Sequence, residues 1–510
     1  MIEVNNVTKS FGEKTVLQNV NLTIYDGERI GIIGDNGQGK TTLLKLINSQ
    51  IRPDEGFVKV SNSIGYLPQS CDLNFESMLV EISDHEFAKR FFKYARILNL
   101  KDCLFEERGF AGLSGGEKTK IALASIFAKD VSTIILDEPT NHIDYSAKKD
   151  IINAINSFDG TVIVVSHDVE FLNEVVTKIV KVKEGNLEEY YGNYDDYIEQ
   201  SRTINANIQR EYESQNRRIE KLQKDISRYK GWAESADKNV GKQGGNPSDS
   251  RLAAVKQNAS NSAKKLSGVV KSKESALAQE LNNRVQSPDK QINIKYRLSK
   301  ENLKAKTALS FIDVDFSYGD NKLFYGVNFT IMSGEKIALV GDNGCGKTTL
   351  IKLITGKEEP SSGIVRLTPS LKIGIMSQDV YDLPSDATIF DLAKSYDKDY
   401  AHIFLSNLVN MNIDKTRFNT KIKNLSSGEQ MRIKLSELIL SDANMLILDE
   451  PTNHLDIANK NYLKKVLVDY VGTLMIVSHD KEFLKDIAQY ELIFENYTVK
   501  KKELISEDVF

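Results

Sequence analysis

Unbroken apolar runs and amphipathic stretches occupy separate regions of the chain. Ile30-Gly31-Ile32-Ile33, Ile134-Ile135-Leu136 and Val162-Ile163-Val164-Val165 are short and almost wholly apolar, as expected of strands covered on both faces. Thr41–Asn48 reads as a helix opening directly from a glycine-rich loop. This order predicts an α/β core around a mostly parallel sheet. Ile2–Val4, Leu22–Ile24 and Ile64–Tyr66 are short, alternating or turn-bounded, and predict an antiparallel β portion. The middle of the chain differs. From Tyr197 to about Ser235, the residues Ile204, Ile208, Tyr212, Ile219, Leu222, Ile226 and Tyr229 recur mostly at three-to-four spacing, the mark of an amphipathic helix. Such a helix of about 38 residues spans about 57 Å at 1.5 Å per residue. A return helix is expected from Ser250, or somewhat later, to about Leu303. Leu266, Val270, Leu277, Leu281 and Val285 form its seam, and Pro288 predicts a break or kink. Glycines from Gly231 to Gly245, with Pro247, predict the interruption between the helices.

The strand-rich pattern occurs twice. Gly34-Asp35-Asn36-Gly37-Gln38-Gly39-Lys40-Thr41-Thr42 returns as Gly341-Asp342-Asn343-Gly344-Cys345-Gly346-Lys347-Thr348-Thr349, 307 residues later. Leu136–His142 and Ser166–Asp168 return 312 residues later, as Leu448–His454 and Ser478–Asp480. The near-constant offset predicts two copies of one domain, at 1–193 and 307–510, the second with a short C-terminal tail. A helical hairpin at 194–306 joins them, with its tip at about 231–250.

Charge sharpens the contrast. The 510-residue chain has a net charge of -4, yet Glu199 to Lys306 holds 23 Lys+Arg against 12 Asp+Glu, a net of +11. The remainder is then -15. A basic projection on an acidic body suits a polyanionic target approached by the projection, or else a solvated hairpin with incidental charge. No run approaches 18 apolar residues, so no membrane span is expected, and the N-terminus lacks the pattern of a signal peptide. Three scattered cysteines suggest a reducing compartment, and no Cys/His group has metal-ligand spacing.

The glycine loop after a strand is a phosphate-binding loop. Gly34, Asn36, Gly37 and Gly39, like Gly341, Asn343, Gly344 and Gly346, let backbone N–H groups converge on phosphate, and the next helix N-terminus adds its dipole. Lys40 and Lys347 reach the β/γ oxygens of ATP. Thr41 and Thr348 offer hydroxyls to Mg2+, with Thr42 and Thr349 beside them. Asp137 and Asp449 end apolar strands, where a carboxylate can hold the magnesium shell. Glu138 and Glu450 point elsewhere, as general bases or water positioners. Gln69 and Gln378 complete the magnesium and water network. His167 and His479 either hydrogen-bond γ-phosphate or are satisfied structural histidines. Ser114-Gly115-Gly116 and Ser426-Ser427-Gly428 each open a helix and form a second anion edge. One domain cannot fold both edges around one nucleotide. A head-to-tail pair within one chain is therefore expected, with Lys40 facing Ser426 and Lys347 facing Ser114. Phe11 and Tyr318, in matching turns, either stack on adenine or anchor the turn.

Together these motifs resemble the ATP-binding cassette superfamily, and more narrowly the ABC-F family. Its wording is matched by Glu-Pro-Thr-Asn-His-Ile-Asp at 138–144 and Glu-Pro-Thr-Asn-His-Leu-Asp at 450–456, in two cassettes without a membrane domain. The resemblance covers nearly the whole chain. It implies a monomeric, cytoplasmic, ribosome-associated ATPase that enters the tRNA exit site of the 70S ribosome. Its interdomain hairpin would reach the peptidyl-transferase region of the 50S subunit, near 23S rRNA and P-site tRNA. The long tip and the absence of arm and C-terminal extensions resemble the members that protect Gram-positive ribosomes from lincosamides, pleuromutilins and streptogramin A. A housekeeping translation factor and the soluble motor of a transporter are the competing readings. Trp232 either pins the hairpin or, with Lys238 and Lys242, contacts RNA. Tyr191, Tyr194 and Tyr197 are expected to clamp the hairpin's root. One departure stands out: Ser427 occupies the place of Gly115, which predicts unequal ATP sites.

Overall fold

The computed structural model describes all residues except 70–80, 101–114, 142, 243–249, 285–304, 320, 342–343, 377–382, 412, 453–454 and 505–510. Within 233–263 only the backbone is described, apart from Ser235, and the same holds for Ser427. The chain divides into two compact units, one of Met1–Tyr197 with Asn293–Phe510 and one of Ile198–Ile292.

In the first unit each copy builds two sheets. Strands β1 (Ile2–Phe11), β2 (Lys14–Ile24) and β4 (Glu55–Val60) form an antiparallel sheet in the order β2-β1-β4. Strands β3 (Arg29–Ile33), β5 (Ile64–Leu67), β6 (Thr133–Asp137), β7 (Thr161–Val165), β8 (Lys178–Lys183) and β9 (Asn186–Tyr191) form a second sheet, in the order β5-β6-β7-β3-β8-β9. All its pairings are parallel except β8 with β9. The second copy repeats both sheets with Thr307–Tyr318, Asn321–Met332 and Ser362–Leu367, then Ile373–Met376, Met445–Asp449, Thr473–Val477, Lys336–Val340, Tyr490–Glu495 and Thr498–Glu503.

The wholly apolar runs are the central strands. All five residues of β6 and of β7 are buried, because sheet and helices cover both faces. Ile64–Tyr66 departs from expectation. It belongs to β5 and pairs in parallel with Thr133–Leu136, at the edge of the mixed sheet. A four-residue strand carries too little alternation to reveal its direction. Between the two sheets lies the helix Lys40–Ile47, whose Leu43, Leu44 and Ile47 join Val4, Leu22, Ile32 and Val180 in one core. This packing holds the phosphate loop at the C-terminal end of β3. The same edge carries the ends of β5, β6 and β7, so Gln69, Asp137-Glu138 and Ser166-His167 emerge together.

In the second unit, the helix beginning at Tyr194 runs unbroken to Lys242, 49 residues or about 74 Å at 1.5 Å per residue. Gly231 lies inside it, so the helix continues past the end expected near Ser235. A lone glycine lowers helix propensity by only about 1 kcal/mol, and a long helix absorbs that. The return helix is Ser250–Asn282, shorter than expected, and Val285 and Pro288 lie outside the described residues. Ile219, Ile226 and Val270 are buried in the seam, while Ile204 and Leu281 are exposed. Gln215 is buried as well, and its side-chain amide donates to the carbonyls of Glu280 (3.2 Å) and Asn283 (2.9 Å), tying the helices together.

The chain has one tryptophan, Trp232, on this hairpin, so its fluorescence reports hairpin unfolding selectively. Ile226→Ala should destabilise that transition by about 2–4 kcal/mol, as for a buried isoleucine. Leu281→Ala, at an exposed seam position, should change it by less than about 0.5 kcal/mol. Denaturant titration followed by tryptophan emission measures both.

Candidate active site between the cassettes

Each phosphate loop closes through a glycine at positive φ, where any side chain would be strained and crowded. Gly39 has φ 107°, and a Cβ there would lie 2.7 Å from Val16 Cγ1. Gly346 has φ 111°, and a Cβ would lie 2.8 Å from Phe324 Cζ. The lysine that follows is buried in both copies. Lys40 Nζ donates to the carbonyls of Gly34 (2.7 Å) and Asp35 (3.1 Å), and Lys347 Nζ to that of Gly341 (2.6 Å). The ammonium thus sits inside the curl of its loop, where phosphate oxygens would meet it. Burial lowers the Lys40 pKa, although Glu138, Asp456, Asp35 and Asp137 oppose that shift.

The two glutamates adopt a conformation that no sequence pattern announces. Glu138 has φ 55° and Glu450 φ 51°, the left-handed region, which costs a non-glycine residue about 1–3 kcal/mol. Their N–H groups donate across the sheet to the carbonyls of Val165 (2.8 Å) and Val477 (2.9 Å), which fixes the bend. Each glutamate approaches a histidine. Glu138 Oε1 lies 3.3 Å from His167 Nε2, and the His167 N–H donates to Glu138 Oε2 at 3.3 Å. Glu450 Oε1 lies 3.6 Å from His479 Nε2. Asp137 takes a hydrogen bond from Thr41, but burial outweighs it and raises the carboxyl pKa. Burial likewise raises Asp449, against the pull of Lys347.

Burial pushes Glu138 up to about 7 and Glu450 up to about 8. It pushes His167 well below its ordinary value and His479 down to about 4. Both imidazoles are therefore neutral near pH 7. Asp137 Oδ2, Glu138 Oε1, His167 Nδ1 and Glu450 Oε1 are buried with no hydrogen-bond partner. Unused polar atoms around a buried lysine fit a site for phosphate, a hydrated divalent cation and an attacking water.

The first loop faces the second copy. A cavity of about 920 Å3 is lined by Asn36, Gly37, Gly39, Lys40, Thr41, Thr42, Gln69, Asp137, Glu138 and His167 on one side and by Ser426 and Gly428 on the other. Lys40 and Ser426 thus share one cavity, which extends to Glu450 and His479. Ser426 caps the helix Ser427–Leu440 in a capping box with Glu429, which Arg417 holds at 3.2 Å. Sequence reasoning passed over the residues that stitch the copies together. Asp456 Oδ1 caps its own helix through the Asn459 N–H (2.9 Å), while Oδ2 accepts from the Asn36 N–H of the other copy (3.2 Å). Lys481 Nζ sits 3.3 Å from the centre of the Tyr145 ring. The only available signal was that Asp456 ends the Glu-Pro-Thr-Asn-His-Leu-Asp run.

Other candidate residues fall as follows. Thr348 and Thr349 lie in the first turn of the helix Lys347–Ile354, and Gly344 has φ 83°. Ser114, Asn343 and Gln378 lie outside the described residues, as does the Ser427 side chain. Gly115 and Gly116 open the helix Gly115–Ala128, and a Cβ at either would meet nothing within 4 Å. Phe11 and Tyr318 are exposed. Lys9 lies over Phe11, and the Tyr318 hydroxyl donates to Glu358 at 3.3 Å. At the hairpin's root the buried cluster is Tyr190, Tyr194 and Tyr197. Tyr191, expected there, is exposed, because strand alternation turns its neighbour inward. Trp232 is half exposed, edge-on to Tyr229 with Arg228 over its ring. Lys238 and Lys242 lie on the same helix, and their side chains are outside the described residues.

Two mixed sheets with paired phosphate loops and an opposing serine edge define a tandem ATP-binding cassette ATPase. The ABC transporter family model matches residues 17–141 and 324–453, and a companion model of the same description matches 180–244. The ribosome protection protein VmlR of Bacillus subtilis is 34% identical over 98% of this chain and 88% of its own length. The ATP-binding protein Uup of Buchnera aphidicola is 30% identical over 97% of this chain and 80% of its own. The archaeal ribosome recycling factor aABCE1, solved with the ribosomal stalk protein aP1, shares the fold. Its TM-score is 0.64 at 19% identity, over 97% of this chain and 89% of that one. The chain belongs to the ABC-F family of ATPases. Among the described residues no helix is long and apolar enough to cross a membrane.

The raised glutamates give a stability prediction with a definite sign. Folding favours the protonated carboxyl, so each glutamate begins to destabilise the nucleotide-free protein above its unfolded pKa, and the cost is complete above the folded value. For Glu138, moving from 4.5 to about 7, the cost above pH 7 is on the order of 3 kcal/mol. Glu138→Gln should therefore raise Tm at pH 8 and leave it nearly unchanged at pH 4.5, as read by thermal unfolding without nucleotide.

Proposed function

We propose that this ATPase acts on the ribosome and protects it from antibiotics of the peptidyl-transferase centre. Lincosamides, pleuromutilins and streptogramin A are the classes involved. The observation that carries the reading is the 49-residue helix, which presents Arg228, Tyr229 and a half-exposed Trp232 as an aromatic and cationic cluster far along its length. An aromatic face with an arginine suits unstacked nucleotides. The hairpin's basic balance and the 34% identity to a protein named for ribosome protection support the same reading. The target comprises the tRNA exit site, the 23S rRNA of the 50S subunit and P-site tRNA. The protein works there as a cytoplasmic monomer.

ATP drives this action. Lys40 and Lys347 hold the β- and γ-phosphates, and Ser426 closes on the nucleotide held by Lys40. Thr41, Gln69 and Asp137, with Thr348, Gln378 and Asp449, would hold Mg2+, which neutralises phosphate charge when bound. Glu138 and Glu450 orient water for attack on the γ-phosphorus and take its proton as the bond to the β-phosphate oxygen breaks. Their elevated pKa suits a proton acceptor near neutral pH. His167 and His479, neutral, donate to the γ-phosphate.

Glu138→Gln with Glu450→Gln should lower ATP turnover by about 10²-fold or more and trap the protein on ribosomes. Failure of that variant to co-sediment with ribosomes would sink the ribosomal reading. The wild-type gene should raise inhibitory concentrations of the three drug classes in a sensitive host, and deletion of 237–247 should abolish this while ATPase turnover persists. Ribosome binding without any shift in drug sensitivity would favour a housekeeping translation factor instead.

A further inference from the structure

We propose that Lys460 is a positioning residue for ATP hydrolysis that works across the cassette boundary, linking the two catalytic glutamates. Its ammonium donates to the main-chain carbonyl of His167 in the first cassette (3.0 Å) and to Asp480 Oδ2 in its own (2.8 Å). Both ends of that bridge lie beside catalytic groups. The N–H of His167 binds the Glu138 carboxylate and its ring faces the same carboxylate, so tethering the His167 carbonyl fixes the residue that orients Glu138. Asp480 follows His479, which faces Glu450 at 3.6 Å, and it caps the next helix through the Phe483 N–H (3.0 Å).

The result is a continuous path from Glu138 through His167, Lys460 and the His479-Asp480 turn to Glu450. Every non-covalent step in it measures 3.6 Å or less. Lys460 itself lies four residues after Asp456, whose carboxylate receives the Asn36 N–H of the first phosphate loop. One helix of the second cassette therefore touches both the loop and the histidine of the first site. The equivalent residue in the first cassette, Lys148, pairs with Asp168 (3.1 Å) and Glu170 of its own cassette. A turn that shifts when nucleotide occupies the second site would pull on His167 through the Lys460 ammonium, so the two sites respond together.

The test uses the full-length protein carrying Lys460→Met or Lys460→Arg, with thermal unfolding run in parallel. Lys460→Met should lower kcat about tenfold or more while changing KM for ATP much less, as expected when a reacting group is slightly misplaced. Binding of a fluorescent, non-hydrolysed ATP analogue should be cooperative in the wild type and independent at the two sites in Lys460→Met. Lys460→Arg, still able to span both acceptors, should recover most of each. Wild-type kcat and binding curve in Lys460→Met would overturn the proposal. So would equal losses in both variants that simply track a fall in Tm.

Discussion

Glu138 and Glu450 each stand at the end of a buried strand, beside a buried lysine, with one carboxylate oxygen unpaired. Burial shields these oxygens from solvent without giving them a partner, and the folded protein holds them at a cost in both charge and backbone strain. Much of the rest follows from that arrangement. The covered parallel strands create the edge from which these groups emerge, and the helix sandwiched between the two sheets of each cassette keeps the phosphate loop against it. Strain and incomplete satisfaction mark where binding energy and chemistry are to be spent.

The seam between the cassettes answers the same constraint. Each cassette carries a loop and a serine edge that cannot meet inside one domain. The second copy therefore supplies Ser426, Asp456 and Lys460 to the first copy's site. Asp456 shows how economically this is done, with one carboxylate oxygen capping a helix and the other receiving a loop amide of the opposite cassette. A side chain that stabilises its own helix thereby also holds the loop of the opposite cassette.

The hairpin is held by other means. Its seam is narrow, with Ile219, Ile226 and Val270 buried and long polar faces left open. Gln215 adds hydrogen bonds that fix how the helices lie alongside each other, since a slip of one turn would strand its amide. The glycine at 231 does not end the first helix, because neighbouring turns of good helix formers outweigh one weak position.

The phosphate loops, the strand-end carboxylates, the duplication and the hairpin were all legible in the chain. Each is written in local spacing: glycines where φ must be positive, apolar runs where both faces are covered, three-to-four periodicity where one face is. The direction of β5, the inward turn of Tyr190 rather than Tyr191 and the full length of the first hairpin helix were not legible, since each depends on neighbours far along the chain. Least legible were the left-handed bends at Glu138 and Glu450 and the cross-cassette bonds of Asp456 and Lys460. Composition and periodicity determine which elements form and which chemistry they carry. Only the packing of one cassette against the other decides which carboxylate loses its water and which lysine reaches across, because desolvation and long-range hydrogen bonds belong to the assembled structure.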